Sequence, residues 1–474
     1  GSAIIQGGTL NNNSGAFFGT PSGNTAFLDG STGAGAITIN GTYTSDLNTN
    51  TYFLGTINNH GNIQVNGGAG TNTLLSIDSN NVTLQGGGTV ALNTVAGGGN
   101  AFILQAAGGL TLTNFDNTIQ GTGIIGENGL TLVNQAAGTL LANAFGQTLF
   151  VNGGGVVTNN GTFQADAGSS LHLQNVTFTN FSANTLTGGT YNIFGTFANP
   201  GTLQIDYLGN TGGEIINNAA TILLDGPNSN LVDAAGLDAL ANFSNNTASG
   251  SFTIRNGRNF TSPGDFSNAG AVQVGSGSTL ATGGTGNYNQ STGSTRIDGT
   301  LVAGGGNANI KGGTLLGNGG TIVGNVTMSG TISPGDNVLT AGALAITGNY
   351  TQTSTGVFDL GIGGLLAGTQ FDLLTVNGQG FLDGTLDVSL ENGFFPALGD
   401  TFTFLVVNPG VFGLFATTNG LNIGNGEVLV LVYNPGNVEL VTESTTQVPE
   451  PTTLLLLGSG LAALLGCGSR GKKR

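Results

Sequence analysis

Asn199-Pro200-Gly201-Thr202-Leu203-Gln204-Ile205-Asp206-Tyr207 is the unit from which the chain is built. Asn-Pro-Gly is a turn signal, because Pro fixes φ and Gly tolerates φ > 0. Thr then opens a strand, where a β-branched side chain fits the pleat. Leu203, Ile205 and Tyr207 fall on one face and Gln204 and Asp206 on the other, the period-two pattern of a half-buried strand. Gly-Thr followed by an apolar residue recurs from Gly8-Thr9-Leu10 through Gly138-Thr139-Leu140, Gly161-Thr162-Phe163 and Gly195-Thr196-Phe197 to Gly330-Thr331-Ile332. In each, Gly is expected to turn the chain with positive φ and the apolar residue to point inward. Leu110-Thr111-Leu112 and Leu171-His172-Leu173 alternate in the same way.

Strands of a few residues repeated at short spacing fit a β-solenoid or a string of small sandwiches. Three features favour the solenoid: a repeat near one coil length of ~20–30 residues, no Pro- or charge-rich linker dividing the chain, and few long-range contacts needed per coil. At ~4.8 Å per coil and ~20 coils the rod would be roughly 100 Å long. Asn side chains at inward turns would stack as ladders along it. Helix is nearly absent; Leu231–Phe243, with Gly236 in its middle, is expected to form a turn or one or two helical turns projecting from a coil. Residues 341–445 carry longer apolar runs, Thr401–Val407 and Val428–Tyr433, and are expected to end and cap the solenoid, since a free edge invites further pairing. The organisation expected is thus 1–340 repeat region, 341–445 end and cap, and 446–474 a separate tail.

Composition agrees with an all-β chain. Of 474 residues 88 are Gly, and charged residues make up 7%, against roughly 25% in an average domain. A hydrophobic fraction of 38% argues against disorder. Net charge is −16, and half of the eight basic residues lie in the tail, which leaves Arg255, Arg258, Arg296 and Lys311 for the body. Nucleic-acid binding needs a basic surface and is excluded on that ground. A lone cysteine, Cys467, precludes internal disulfides. No signal peptide is legible, and a chain that opens Gly1-Ser2 without Met is expected to be processed or truncated at its N-terminus.

The tail differs from everything before it. Val448-Pro449-Glu450-Pro451 is followed by the uncharged block Thr452–Gly466 and then by Arg470, Lys472, Lys473 and Arg474. As a helix at ~1.5 Å per residue the block reaches roughly 22 Å, short of a ~30 Å hydrocarbon core. A short apolar helix with a basic end reads as a removable anchor whose basic residues stay cytoplasmic. The two prolines keep Glu450 in extended chain, a form that suits a protease. This order of elements resembles a PEP-CTERM sorting signal. The resemblance implies recognition by an exosortase in the inner membrane, cleavage near Pro-Glu-Pro and delivery to the cell surface or exopolysaccharide matrix.

Gly312–Phe358, continued by Phe371–Gly378 and Leu382–Val388, resembles the distal part of autotransporter passengers. That resemblance implies a right-handed parallel β-helix. An autotransporter also needs a C-terminal membrane barrel, which this sequence does not contain; the sorting tail takes its place.

β-Helices include polysaccharide lyases and glycosidases, which makes catalysis the rival reading of this sequence. Glycosidases need clustered carboxylates. Arg255 and Arg258 with Asp265 form one basic-plus-acidic cluster in the sequence, read as a turn with two solvated arginines. Other Asp residues stand singly after strands. His60 reads as a turn residue and His172 as solvent-facing; neither has a second ligand at metal spacing. Gly67–Leu74 is near one Ca²⁺-binding nonapeptide, but no second copy follows. The expectation is therefore a non-enzymatic surface or matrix protein of structural or adhesive role, without metal or cofactor. Its expected partners are an exosortase, extracellular polysaccharide and further copies of itself, with a polysaccharide lyase or glycosidase as the alternative.

Overall fold

The structure is a computed structural model that describes residues 1–12, 16–94, 97–337 and 340–445. It is nearly all β, with 59% of residues in strands. The described residues contain no α-helix and one 3₁₀ turn, Asp206–Leu208. No described helix is long and apolar enough to cross a membrane.

Most short strands pair in parallel with the strand one coil before and one coil after. Three stacks result. The first runs from Ser2–Gln6 through Thr25–Gly30, Ala101–Gln105 and Gly201–Ile205 to Ser229–Val232. The second begins Gly8–Asn11, Ile37–Asn40 and passes through Thr111–Asn114 and Val156–Asn159. The third is continuous from Gly19–Thr20 to Thr417–Asn419. Parallel strands in curled sheets, each coil laid on the last, are what a β-solenoid requires.

Inward residues alternate with outward ones as the sequence indicates. Thr139–Ala142, Thr148–Val151 and Thr162–Ala165 each bury their second and fourth residues. Leu203 and Ile205 are buried, but the alternation stops there: Tyr207 enters the 3₁₀ turn and is 45% exposed. Phe197 is a second exception, 87% exposed in the tight turn where Thr196 N–H donates to Asn199 O at 2.9 Å. Leu10, in the first copy, is half-buried; Ile57, Val90, Leu140, Phe163, Leu301, Ile322 and Ile332 are buried.

The inner corners carry the expected amide ladders. Asn114 Nδ2 donates to Asn134 Oδ1 at 2.8 Å, and Asn134 Nδ2 to Asn159 Oδ1 at 2.9 Å. Asn218 donates to Asn246 at 3.0 Å and Asn246 to Asn268 at 2.9 Å. All are buried, and each amide also bonds backbone carbonyls, so a polar group in the core keeps its partners. The ladders explain the glycine of the motif. A Cβ on Gly161 would lie 2.2 Å from Gln135 O and 2.3 Å from Gly138 O. Its φ is not positive, so the demand is for room against the neighbouring coil rather than for a left-handed turn.

Leu231–Phe243 forms no helix. Leu231 and Val232 end a strand, and the rest is a turn segment that buries Ala239, Leu240 and Phe243. Phe243 meets Phe252, Phe260 and Phe266 edge-on or tilted at 4.9 to 5.5 Å between centroids. At the far end Thr401–Val407 pairs in parallel with Leu373–Val376 and antiparallel with Asn437–Ser444. Asn437–Ser444 pairs in turn, antiparallel, with Glu427–Asn434. An antiparallel ribbon thus covers the edge of the last parallel strand in that stack.

Candidate functional site

The first stack is interrupted once. Ser229–Val232 pairs with Gly201–Ile205 on one side, and no described strand pairs on its other side. The next strand in that position of the coil, Phe260–Ser262, pairs onward with Thr279–Thr282. Between them the Asp233–Phe243 segment is inserted. It folds back on the strand it leaves: Ala239 N donates to Leu231 O at 3.0 Å, and Val232 bridges Asp238 antiparallel. Asp233, fully buried, fixes the turn. Its Oδ1 accepts the amides of Ala235 and Leu237 at 2.9 and 2.8 Å, and its Oδ2 that of Gly212 at 2.9 Å. Burial raises the pKa of this carboxyl, but the donated amides outweigh it and hold the group below the usual carboxylate range.

The interruption opens a cleft of about 450 Å³ lined by Thr202, Gln204, Asn230, Asp238 and Arg258. Arg258 is half-buried. One Nη donates to Asn259 O at 3.1 Å, while Nε is shut off from solvent without a hydrogen-bond partner. Burial lowers its pKa from the ordinary arginine value, and the charge of Asp238 works in the opposite direction. No described carboxylate approaches it within ion-pair distance. Thr202 and Asn230 are register partners on adjacent coils, and no bond to the described protein occupies either side chain.

The basic-plus-acidic cluster read from the sequence is not assembled. Arg255 turns to Asp225 on the preceding coil, Nε to Oδ2 at 2.7 Å, and is exposed as expected. Asp265 accepts the Asn287 amide at 2.7 Å. Arg258 is the residue misread: the expectation of a solvated side chain fails because the insertion walls it in. His60 lies in a turn, Nδ1 2.9 Å from Gly86 O. His172 is on the outer face, but it is covered, with Nε2 2.8 Å from Asp206 Oδ1 and its ring tilted against Phe150 at 5.4 Å. Gly68 and Thr71 exchange backbone bonds of 3.1 and 2.9 Å in a tight turn within the nonapeptide-like stretch. No group of three or more His, Cys, Asp or Glu placed to hold a metal occurs among the described residues.

A second set of ionisable groups went unread. Asp359 and Asp387 are register partners on adjacent coils, and Asp372 and Glu391 lie near them, both buried. Asp372 accepts Gly342 N at 3.1 Å and Gly361 N at 2.9 Å. Burial, helped by the charges of Glu391 and Asp359, overcomes these two amides and pushes its pKa up to about 8. Burial also raises Asp359, with Asp387 adding to it, and raises Glu391, with Asp359 adding to it. The signal lay in coil-length spacing, which brings carboxylates distant in sequence onto neighbouring coils.

Val448, Pro449, Glu450, Pro451, the apolar block, Cys467 and the basic residues Arg470, Lys472, Lys473 and Arg474 lie outside the described residues. Their sequence is decisive without coordinates. Residues 447–470 match the PEP-CTERM protein-sorting motif. The motif marks the protein for processing by an exosortase and for export to the cell envelope or surface. Everything described above belongs, then, to an exported chain. No curated protein matches the chain.

Proposed function

We propose that the body is a right-handed parallel β-helix of structural or adhesive role in the cell surface or exopolysaccharide matrix, without catalytic activity. In this reading 1–340 is the repeat rod, 341–445 its end and cap, and 446–474 the signal that an exosortase removes after transient residence in the inner membrane. The likeness to autotransporter passengers belongs to the same proposal.

The observation that carries it is the set of amide rows on the outer faces. Asn40 donates to Asn11 at 2.7 Å, Gln85 to Asn58 at 2.8 Å, Asn245 to Asn217 at 2.9 Å and Asn309 to Asn289 at 3.0 Å. Such rows repeat at the ~4.8 Å coil spacing and offer many weak donors and acceptors to a hydroxyl-rich polymer. Each contact is weak; the polymer is held because many act together. The alternative, a polysaccharide lyase or glycosidase, has the cleft in its favour, but Asp238 is the one carboxylate lining it, and glycosidic cleavage takes a pair.

Deleting Val448–Arg474 in the native host tests delivery. Surface protease accessibility or immunolabelling of intact cells should be lost in the deletion strain. Undiminished surface labelling would sink the sorting reading.

A further inference from the structure

Large apolar side chains are exposed unevenly along the chain. Among the described residues there are 17, and 8 of them fall between Leu365 and Leu414. Four of these occupy one corner on consecutive coils. Leu365 and Leu366 are in the turn 363–372, which leaves Val357–Ile362 and enters Leu373–Val376. Phe395 and Leu398 are in the turn 391–400, which leaves Thr385–Leu390 and enters Thr401–Val407. The strands before the two turns are register partners, as are the strands after them, so one turn lies over the other. Both turns are fixed by their own polar groups. Gln370 Oε1 accepts the amides of Leu365 and Leu366, each at 3.1 Å, and Asp400 Oδ2 accepts that of Ala397 at 2.7 Å. The four apolar side chains are left 40 to 62% exposed on these turns. Such a cluster marks contact with an apolar partner.

The end of the described chain indicates which partner. Asn437–Ser444 runs back to this corner: Gly399 N donates to Thr442 O and Thr442 N to Asp400 O, both at 2.9 Å. Residues 446–451 alone separate Thr445 from the uncharged block that opens at Thr452. Fully extended, that link reaches at most about 25 Å. With the block in hydrocarbon, the corner is held at the bilayer surface. Charge selects the lipid. Asp400 and Glu443 flank the corner, and the four basic residues of the body, Arg255, Arg258, Arg296 and Lys311, all precede it in the chain. The corner therefore offers anionic headgroups no attraction, and its contact rests on apolar insertion.

We propose that Leu365, Leu366, Phe395 and Leu398 enter the interface of a zwitterionic lipid surface beside the tail, so that the uncut chain meets the membrane at two places. The inference rests on the membrane residence proposed above for 446–474 and adds a contact made by the body itself.

The test is fluorescence quenching on the full-length protein, inserted by its tail into phosphatidylcholine vesicles that carry spin-labelled lipid. In a Cys467→Ser background, an environment-sensitive dye is placed singly at Leu366→Cys, Leu398→Cys, Ser459→Cys in the tail, or Phe197→Cys on a distant coil. Dyes at 366, 398 and 459 should be quenched, the first two as side chains roughly 5–10 Å below the headgroups are. The dye at 197 should not. Leu365→Ser with Leu366→Ser should reduce quenching at 398; an unchanged signal would mean that the tether alone holds the corner there, and overturns the proposal. Phosphatidylglycerol in the vesicles should also reduce it, and a rise overturns the proposal. Quenching at 459 without 366 and 398 removes the corner and leaves the anchor. Quenching at none of the three removes the anchor and the corner with it. Equal quenching at 197, or a corner shielded from aqueous iodide but not quenched by lipid, as a second copy of the chain would shield it, also overturns the proposal.

Discussion

The middle of the coil stack and its C-terminal turns bury polar groups by different means. From Asn114 to Asn180, and again from Asn218 to Asn268, buried amide side chains bond one another and the backbone along the inner corners, while the buried carboxyl of that stretch, Asp233, lies in the inserted segment and not in the ladder. From Val357 to Glu391 two carboxyls are buried, Asp372 and Glu391, and the charge of the half-buried Asp359 acts on both. An amide has no charge to lose, so its ladder is indifferent to pH. A carboxyl cluster is not, and its response has a sign. Asp233, in the inserted segment, is held below its ordinary pKa, so its contribution is present above the unfolded carboxyl range and is lost as pH falls. Asp372, pushed up to about 8, acts in the opposite sense: its contribution is complete below an unfolded value near 4 and is lost as pH rises through about 8. The two regions should weaken at opposite ends of the pH scale.

The largest expected effect breaks the amide side of this comparison. Asn134→Ala removes a side chain that accepts from Asn114 and donates to Gly138 O and Asn159 Oδ1. Several buried polar groups are left without partners, at about 1–3 kcal/mol each, so a loss of roughly 3–5 kcal/mol is expected. Denaturant unfolding checks it, and the loss should be the same at pH 5 and pH 8. A smaller effect sharpens the carboxyl side. Asp372→Asn should flatten the fall in stability of the C-terminal turns between pH 4 and pH 8. About 1.4 kcal/mol accompanies each unit of pKa shift, so the slope removed is on the order of a few kcal/mol across that range. Amide hydrogen exchange of Leu373–Val376 across that pH range, corrected for intrinsic rates, measures it. An unchanged slope in the variant would place the pH sensitivity elsewhere.

What was legible in the sequence follows the same division. Inward and outward residues could be read from alternation because the short strands of the repeat, such as Thr139–Ala142 and Thr162–Ala165, obey period two, and the ladders could be read because Asn recurs at the turns. The Gly-Thr-apolar motif located the strands, but for the wrong reason at Gly161, where the neighbouring backbone rather than φ forbids a side chain. Phe197, Tyr207 and Arg258 were misplaced since each sits where a turn or insertion departs from the repeat. The carboxyl group of four was invisible because its members meet through coil stacking, which single-strand patterns do not report. The sorting motif was readable in full, being linear and independent of the fold.

All of this depends on coil lying on coil in the register described. Gln164 and Asn192 are outward register partners on adjacent coils of the third stack, one residue before the inward pair Ala165 and Ile193. Parallel neighbours on one face fall within the ~4.4–6.8 Å Cα range that a disulfide spans. In a Cys467→Ser background, Gln164→Cys with Asn192→Cys should oxidise to completion in the folded protein, while Gln164→Cys with Ile193→Cys should not. Equal yields from the two pairs would contradict the stacked-coil account.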